Sequence, residues 1–518
     1  MLDIEEIAVT AAQMSAIESR VFAAGMPVAA LMEKAGILLA RRMQELYPRS
    51  QFPQAGVLVG PGHNGGDALV VARELHFQGY RVRLYQPIDR LKDLTAAHAR
   101  YAASLGLPTV SNIADLNECD WIVDGLFGFG LTRSIEGSLA EAIEQLNQTR
   151  KAIVSIDLPS GLHTDTGAAL GTAVRATHSL CLGLWKQAYL HDQALFYTGV
   201  AERIDFNLPI ADITAILGEQ PMLRRITPAI ALAPLRIPRL PTAHKYRQGH
   251  LLLVCGSRQY SGAAILAGLA ASASGVGMLS IAVPLGIKAL LSSRLPEALI
   301  IDCPETESGA IAQLPLDLSK YSAIACGPGL TPQATDAVEQ VVKSDRPLVL
   351  DADGLNIVAE HMELLRERTA PTLLTPHPGE FKRLFPNLAK QLDETMPGAV
   401  CDRIATVQQA AQQCHHMVLL KGARVAIAHP QGCVWVNPAS TPALARGGSG
   451  DVLTGLAGGL LAEAVAAKIP DPLERVVPSA TWWHAQAAIA AVQERTERGV
   501  DAETLSQFLI PALQRWLG

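Results

Sequence analysis

From residue 55 the chain alternates short, apolar, β-rich runs with helix-like runs, and this alternation restricts the fold more than any other feature. AGVLVG (55–60) reads as a strand, ALVVARELHFQG (68–79) as a helix and YRVRLYQP (80–87) as the next strand. WIVDGLFG, KAIVSIDLPSG, SLCLGL and VAERIDFNLP carry the rhythm to about residue 210, with helical stretches between. Strands separated by helices pair side by side through crossover connections, so the pattern predicts a mainly parallel sheet flanked by helices. Two helical runs, AAQMSAIESRVFAAG and PVAALMEKAGILLARRM, precede it.

The rhythm stops in QPMLRRITPAIALAPLRIPRLPTA (220–243), where five prolines leave little periodicity. A second series starts at HLLLVCGS (250–257) and runs through GMLSIAVP, YSAIACGPG, RPLVLDADG, APTLLTPHPG and MVLLKGA. A hairpin-like pair, RVAIAHP and CVWVNP, and three helical runs follow, with Trp482 and Trp483 expected to pack inside one of them. A chain of 518 residues exceeds one hydrophobic core. The expected organisation is an α/β domain over 1–215, a linker over 216–243 and a second α/β domain over 244–518. The halves do not read as copies, which points to fusion and not duplication.

A net charge of −6 and the absence of a long basic run argue against nucleic acid as the main partner. No apolar run is long enough to span a bilayer, and the acidic opening MLDIEEIAVTAAQM lacks a secretion-signal pattern. The expected setting is therefore cytoplasmic, with no membrane partner. Eight scattered cysteines without a CxxC suggest neither a zinc site nor a disulfide framework. His415 and His416 are expected to open a strand and point to opposite faces, which disfavours a shared metal.

GPGHNGGD (60–67) places Gly60, Gly62 and Gly65 in a G-x-G-x-x-G spacing between a strand and a helix, with Asp89 after the next strand. That resembles a dinucleotide-binding turn. Asp67 fits it poorly: in the helix's first turn it would share the position of a pyrophosphate, and two anions there need a cation. The plainer reading is an aspartate that favours the helix dipole, worth ~0.3–1 kcal/mol. Asp124 in VDGLFGFG and Asp157 in SIDLPSG also follow apolar runs. Ligands of open α/β sheets bind beyond the carboxyl ends of the strands, so the three aspartates could share one crevice.

LMEKAG (31–36), GPGHNGGDALVVAR, DGLFGFG and DLPSG together resemble the NAD(P)HX epimerase family, over about residues 8–210. That family has a Rossmann-like fold, interconverts the R and S epimers of hydrated NADH and NADPH (NADHX and NADPHX) and binds potassium. The resemblance implies that Asn64, Asp124 and Ser160 contact K⁺. It also implies that His63, Asn64, Gly65, Gly66 and Asp67 line the hydrate, as do Gly128, Phe129, Gly130, Leu131, Thr132, Arg133, Ser134 and Asp157. Asp157 is the candidate acid–base group, a role worth ~10²–10⁴-fold. Lys186, in LGLWKQA, matches a family lysine only loosely, and His63 replaces the first Asn of the usual N-N-G-G-D.

GGSGD (447–451) lacks the G-K-[ST] of a P-loop, so a phosphate held there would rest on backbone N–H groups at a helix start. Asp451 could take the proton of a phosphate-accepting hydroxyl while the amides stabilise charge on the transferred group. The plainer reading is an aspartate opening a helix after a glycine-rich turn. KYRQGHLLLVCGS, YSGAA, GPGL, DADGLN, TPHPGEF, LKGAR and GGSGD, in this order, resemble the ADP/ATP-dependent NAD(P)HX dehydratase family over about residues 225–518, whose fold is ribokinase-like. The resemblance implies that Asp451 acts as base toward the hydrate's hydroxyl, which is phosphorylated and leaves. Ala263, Gly329 and His377 would line the hydrate pocket with Asp451, and Lys421, Gly422, Ala423, Arg424, Val425 and Gly450 would contact ADP. Asp353 and Asn356 would lie near the phosphates or Mg²⁺. Together the two resemblances imply a bifunctional repair enzyme acting on NADHX, NADPHX and ADP, expected as a homo-oligomer. The alternative is a vitamin-precursor or sugar kinase using the same Asp451, fused to a non-catalytic nucleotide-binding or scaffold module.

Overall fold

The computed structural model describes residues 3–235, 237–239, 241–392 and 401–517, arranged as two units, Met1–Leu223 and Arg224–Gly518. Most of the segment 216–243, expected as a linker, is built into one unit or the other; Arg236 and Leu240 within it lie outside the described residues. The helix Ile210–Leu217 buries Ile213 with Met14 and Ile17 of the helix Ala11–Ala23. Leu223–Arg225 is the edge strand of the second sheet, and Ala231 of the helix Pro228–Leu232 enters the C-terminal core. The prolines that broke the periodicity are compatible with this, because Pro228 opens a helix capped by Thr227 Oγ1.

In the N-terminal unit seven strands form one parallel sheet. Its order is Thr109–Val110, Arg81–Tyr85, Gln54–Val59, Trp121–Gly125, Ala152–Ile156, His178–Leu182, Val200–Ile204. The sequence order reverses at Gln54–Val59, and the crevice at such a reversal is where this architecture binds ligands. The apolar runs are continuous because most of these strands are buried on both faces. A separate parallel pair, Ala8–Val9 with Trp185–Lys186, puts Val9 opposite Lys186.

The glycine segment departs from its expected form. The helix begins at His63, not near residue 68, so Gly65 and Gly66 lie inside it and Asp67 falls in its second turn. Close packing explains this: a Cβ on Gly65 would sit 1.9 Å from the Gly60 carbonyl oxygen, and one on Gly66 2.6 Å from Met32 Sδ. The glycines let the helix start press against the strand end and the preceding helix.

The C-terminal unit has a ten-stranded sheet in which every neighbour from Leu299–Cys303 through Met417–Leu420 runs parallel. The hairpin Val425–Ala428 with Val434–Asn437 is antiparallel, as its sequence suggests. Here the order reverses at His250–Val254, which lies between Met278–Pro284 and Ala323–Cys326. The apolar helix Ser449–Ala466 buries nearly its whole circumference, and Trp482 and Trp483 are buried in the helix Pro472–Arg495. His415 caps a helix in the left-handed region instead of opening a strand, and His416 is buried on the Leu365 carbonyl. Among the described residues no helix is long and apolar enough to cross a membrane.

Candidate functional site

In the N-terminal unit the reversal crevice opens into a cavity of about 560 Å³. Its walls come from the strand ends, from the start of the helix His63–Phe77 and from the leading helices. Asp157 follows the strand Ala152–Ile156 with φ 68°, a left-handed conformation that aspartate tolerates better than most residues. Two contacts hold it there: its N–H donates to the Leu180 carbonyl (2.8 Å), and the Tyr189 hydroxyl donates to its own carbonyl (2.6 Å). The carboxylate accepts from the N–H groups of Phe129 (3.0 Å) and Leu182 (3.3 Å). Lys186 Nζ lies 2.5 Å from Asp157 Oδ1, and the lysine side chain is fully buried. Burial pulls the Lys186 ammonium down, but Asp157, with Cys181 and Glu18, more than offsets this and leaves it raised.

Two further carboxyls face the same space. Burial pushes Asp67 well above the carboxylate range, and the charges of Asp157 and Glu18 add to the shift. Burial also pushes Glu18 up to about 7, against the lowering pull of Lys186. The site therefore combines a charged pair, Asp157–Lys186, with carboxyls that can carry protons near neutrality.

Beside it lies an oxygen-rich cluster. The buried Asp124 carboxylate accepts from Ser155 Oγ (2.7 Å), Ser160 Oγ (2.6 Å), Ser160 N (2.9 Å) and Leu126 N (3.3 Å). No cationic side chain pairs with it among the described residues, and burial holds it above the ordinary range despite those donors. Asn64 Nδ2 is buried without a partner. Because an amide's oxygen and nitrogen exchange by a half-turn, that position can present an oxygen. Asp124, Ser160, Asn64 and the Phe127 carbonyl thus supply a hard-oxygen donor set suited to a hard cation.

In the C-terminal unit the strand ends converge on the start of the helix Ser449–Ala466. Asp351, just past Leu348–Leu350, is buried and accepts from Lys421 Nζ (2.7 Å) and Thr454 Oγ1 (2.7 Å). Lys421 follows Met417–Leu420 and also reaches Glu380 Oε2 at 3.8 Å. Burial pulls the Lys421 ammonium down, but Asp351 and Glu380 more than offset this, so it stays raised. Glu380 is tied to His377 through a capping box, accepting the His377 N–H at 2.8 Å. Asp451 stands in the first turn of its helix, behind a left-handed Gly448 cap. Burial pushes Asp451 up to about 7; Asp351, Asp353 and Glu380 add to this and Lys421 opposes it. A Cβ on Gly450 would lie 3.3 Å from Lys421 Nζ, so glycine keeps space open between that ammonium and the helix start. The N–H groups of Gly450 and Asp451, in the first turn, have no partner within the helix and are available to an anion. Proton acceptor, cation and free amides together can perform phosphoryl transfer to a hydroxyl.

His63, Asn64, Asp67, Gly128, Phe129, Gly130, Leu131, Arg133 and Asp157 line the N-terminal cavity. Gly65 and Gly66 lie behind it inside the helix, and Thr132 and Ser134 are exposed outside the lining. Asp124 and Ser160 touch each other beneath it. In the C-terminal unit Ala263 and Gly329 are neighbours, and His377 caps the helix Pro378–Leu384 beside Glu380. Gly422 and Ala423 are exposed, Val425 opens a strand, and Arg424 donates to the Pro438 carbonyl. Asp353 accepts the Thr331 N–H (2.9 Å) and the Asn356 amide (3.3 Å). Sequence reasoning missed Glu18 and Lys92 in the cavity and Asp351 at the centre of the second cluster. Asp351 alone carried a signal, as the acid closing the apolar run RPLVLD.

Residues 251–511 match the family model described as NAD(P)H-hydrate dehydratase, and residues 28–188 match the YjeF-related protein N-terminus. The helix Ala11–Ala23 lies ahead of the matched segment. The bifunctional NAD(P)H-hydrate repair enzyme Nnr of Synechocystis sp. is 53% identical over 98% of this chain and 95% of its own length. Its counterpart in Thermosynechococcus vestitus is 52% identical over 98% of both. A solved ADP/ATP-dependent NAD(P)H-hydrate dehydratase from Bacillus subtilis, co-crystallised with ATP/Mg²⁺, is 34% identical and covers 54% of this chain and 93% of its own, with a TM-score of 0.45. With relatives matching along nearly its whole length, the chain belongs to the family of bifunctional NAD(P)H-hydrate repair enzymes, an epimerase unit joined to a dehydratase unit.

Proposed function

We propose that the cavity around Asp157 and Lys186 epimerises NADHX and NADPHX, and that the cluster around Asp451 dehydrates the S epimer with ADP as phosphate donor. The observation that supports the second half most directly is Asp451, raised to about 7, at a helix start whose amides are free. In this reading Asp451 takes the hydroxyl proton as the hydroxyl oxygen attacks the terminal phosphorus of ADP, releasing AMP. The phosphorylated oxygen then departs as phosphate, the neighbouring ring carbon gives up a proton to solvent, and the ring double bond re-forms. Lys421 balances the clustered carboxylates and steadies the anionic donor, with Gly422, Ala423, Arg424 and Val425 beside it. Asp353 and Asn356 would hold Mg²⁺, which neutralises phosphate charge when bound. Asn64, Asp124 and Ser160 would hold K⁺, whose charge compensates the buried Asp124 carboxylate.

The test is the full chain incubated with mixed R/S NADHX. With ADP and K⁺, absorbance at 340 nm should recover for both epimers; replacing K⁺ with tetramethylammonium should leave the R fraction behind. Accumulation of a stable phosphorylated product without recovery at 340 nm would favour the kinase alternative and refute the dehydratase assignment.

A further inference from the structure

We infer that Glu18, on the leading helix Ala11–Ala23, is a second acid–base residue of the epimerase cavity, working together with Asp157. The inference rests on the epimerase reading of that cavity. The helix divides into two stripes: Met14, Ile17 and Val21 enter the core, whereas Ser15, Glu18, Ser19 and Phe22 line the cavity. These are i, i+3, i+4 and i+7 positions, so one helical face forms the wall and Glu18 stands at its middle. Asp157 lines the same cavity, and its oxygens are already engaged by two backbone N–H groups and an ammonium. With its oxygens so engaged, Asp157 serves to take a proton, and another group must deliver one. Epimerisation needs both actions, since a proton lost in one half of the reaction must be supplied in the other.

Hydration of an enamine places the hydroxyl on the carbon beside the ring nitrogen. The Asp157 carboxylate takes the hydroxyl proton, the C–O bond becomes C=O, and the C–N bond breaks with its electron pair passing to nitrogen. Nitrogen takes the proton of the Glu18 carboxylic acid. The free aldehyde turns, nitrogen adds back to its other face, and both protons return; no atom is lost and nothing is oxidised or reduced. Glu18 is suited to this cycle because burial sets its carboxyl at about 7, whereas the more deeply buried Asp67 is held well above the carboxylate range and keeps its proton. The charged groups facing Glu18 are Lys186 and Asp157 from the strand ends and Asp67 from the helix His63–Phe77, with His63, Lys92 and Arg133 also lining the cavity.

The test is Glu18→Gln in the full chain, measuring R/S interconversion of NADHX from pH 5.5 to 9 by chromatography above the uncatalysed background. Wild-type kcat should fall as pH rises through about 7. The variant should lose that limb and fall about 10²-fold or more in kcat, with KM changed less than about threefold. Its dehydration of S-NADHX with ADP, in the same chain, should be unchanged and so report intact folding. An E18Q rate within threefold of wild type with the alkaline limb retained overturns the inference, as does a loss confined to KM. Asp157→Asn separates the two ideas: if it too epimerises at the wild-type rate, the epimerase reading of the cavity fails with it.

Discussion

Replacing Asp451 with Asn should abolish dehydration and stabilise the protein at the same time. Asn preserves shape and hydrogen-bonding capacity but can neither hold the negative charge nor accept the hydroxyl proton. The Asp451 carboxyl moves from its ordinary 3.8 to about 7, driven first by burial and then by the Asp351 charge. At ~1.4 kcal/mol for each tenfold change in proton affinity, a displacement that large sets an upper limit of about 4 kcal/mol; partial exposure of the side chain and solvent screening reduce the expectation to about 1–3 kcal/mol. The folded-state value lies above the unfolded one, so the contribution is fully present below about pH 4 and is lost as pH climbs through about 7. Asn, uncharged throughout, escapes that loss. Its advantage over wild type in the unfolding transition of the C-terminal unit should therefore be small at pH 4 and largest above pH 8. Dehydration of S-NADHX, followed at 340 nm, should fall by ~10²–10⁴-fold. ADP binding should be unchanged or tighter, because one negative charge facing the phosphates is gone. A fall in rate below about tenfold, or a stability difference that does not grow with pH, would refute the placement of a base in this electrostatic setting.

For the wild type, kcat/KM of dehydration should rise with pH through about 7 as Asp451 loses its proton, and Lys421→Met, which removes the cation that lowers it, should move that limb to higher pH in a steady-state profile. Lys186→Met leaves the Asp157 charge buried and unpaired and should cost ~3–5 kcal/mol in unfolding of the N-terminal unit; adding Asp157→Asn, which tolerates the left-handed backbone, should recover much of it. Gly65→Ala sets a methyl 1.9 Å from the Gly60 carbonyl and should cost ~1–3 kcal/mol, with epimerisation lost and dehydration retained in paired assays.

The strands and their reactive ends were legible because parallel strands buried on both faces must be continuously apolar, and the acids and glycines closing them stand out. Asp124 and Asp157 are visible in this way, whereas His377 and Asp451 stand out through the motifs around them, as does the hairpin. What escaped was set by neighbours distant in sequence. Gly65 and Gly66 read as loop because glycine is a poor helix former, costing about 1 kcal/mol relative to alanine; only the approach of the Gly60 carbonyl and Met32 makes them necessary inside a helix. The strand Leu223–Arg225 went unread because an edge strand of three half-buried residues, next to prolines, offers no alternation. Asp351 closes a strand like the others, yet its importance depends on Lys421 and Thr454, which chain folding brings to it. Glu18 is the hardest case. Its stripe of Ser15, Glu18 and Ser19 has the composition of a solvated helix face, and the core stripe of Met14, Ile17 and Val21 completes an ordinary amphipathic pattern. The same pattern serves water or a substrate equally well, and what distinguishes them is whether charged strand ends line the same cavity. Lys186 and Asp157 do, so a residue that composition assigns to the surface becomes part of the reaction's proton path.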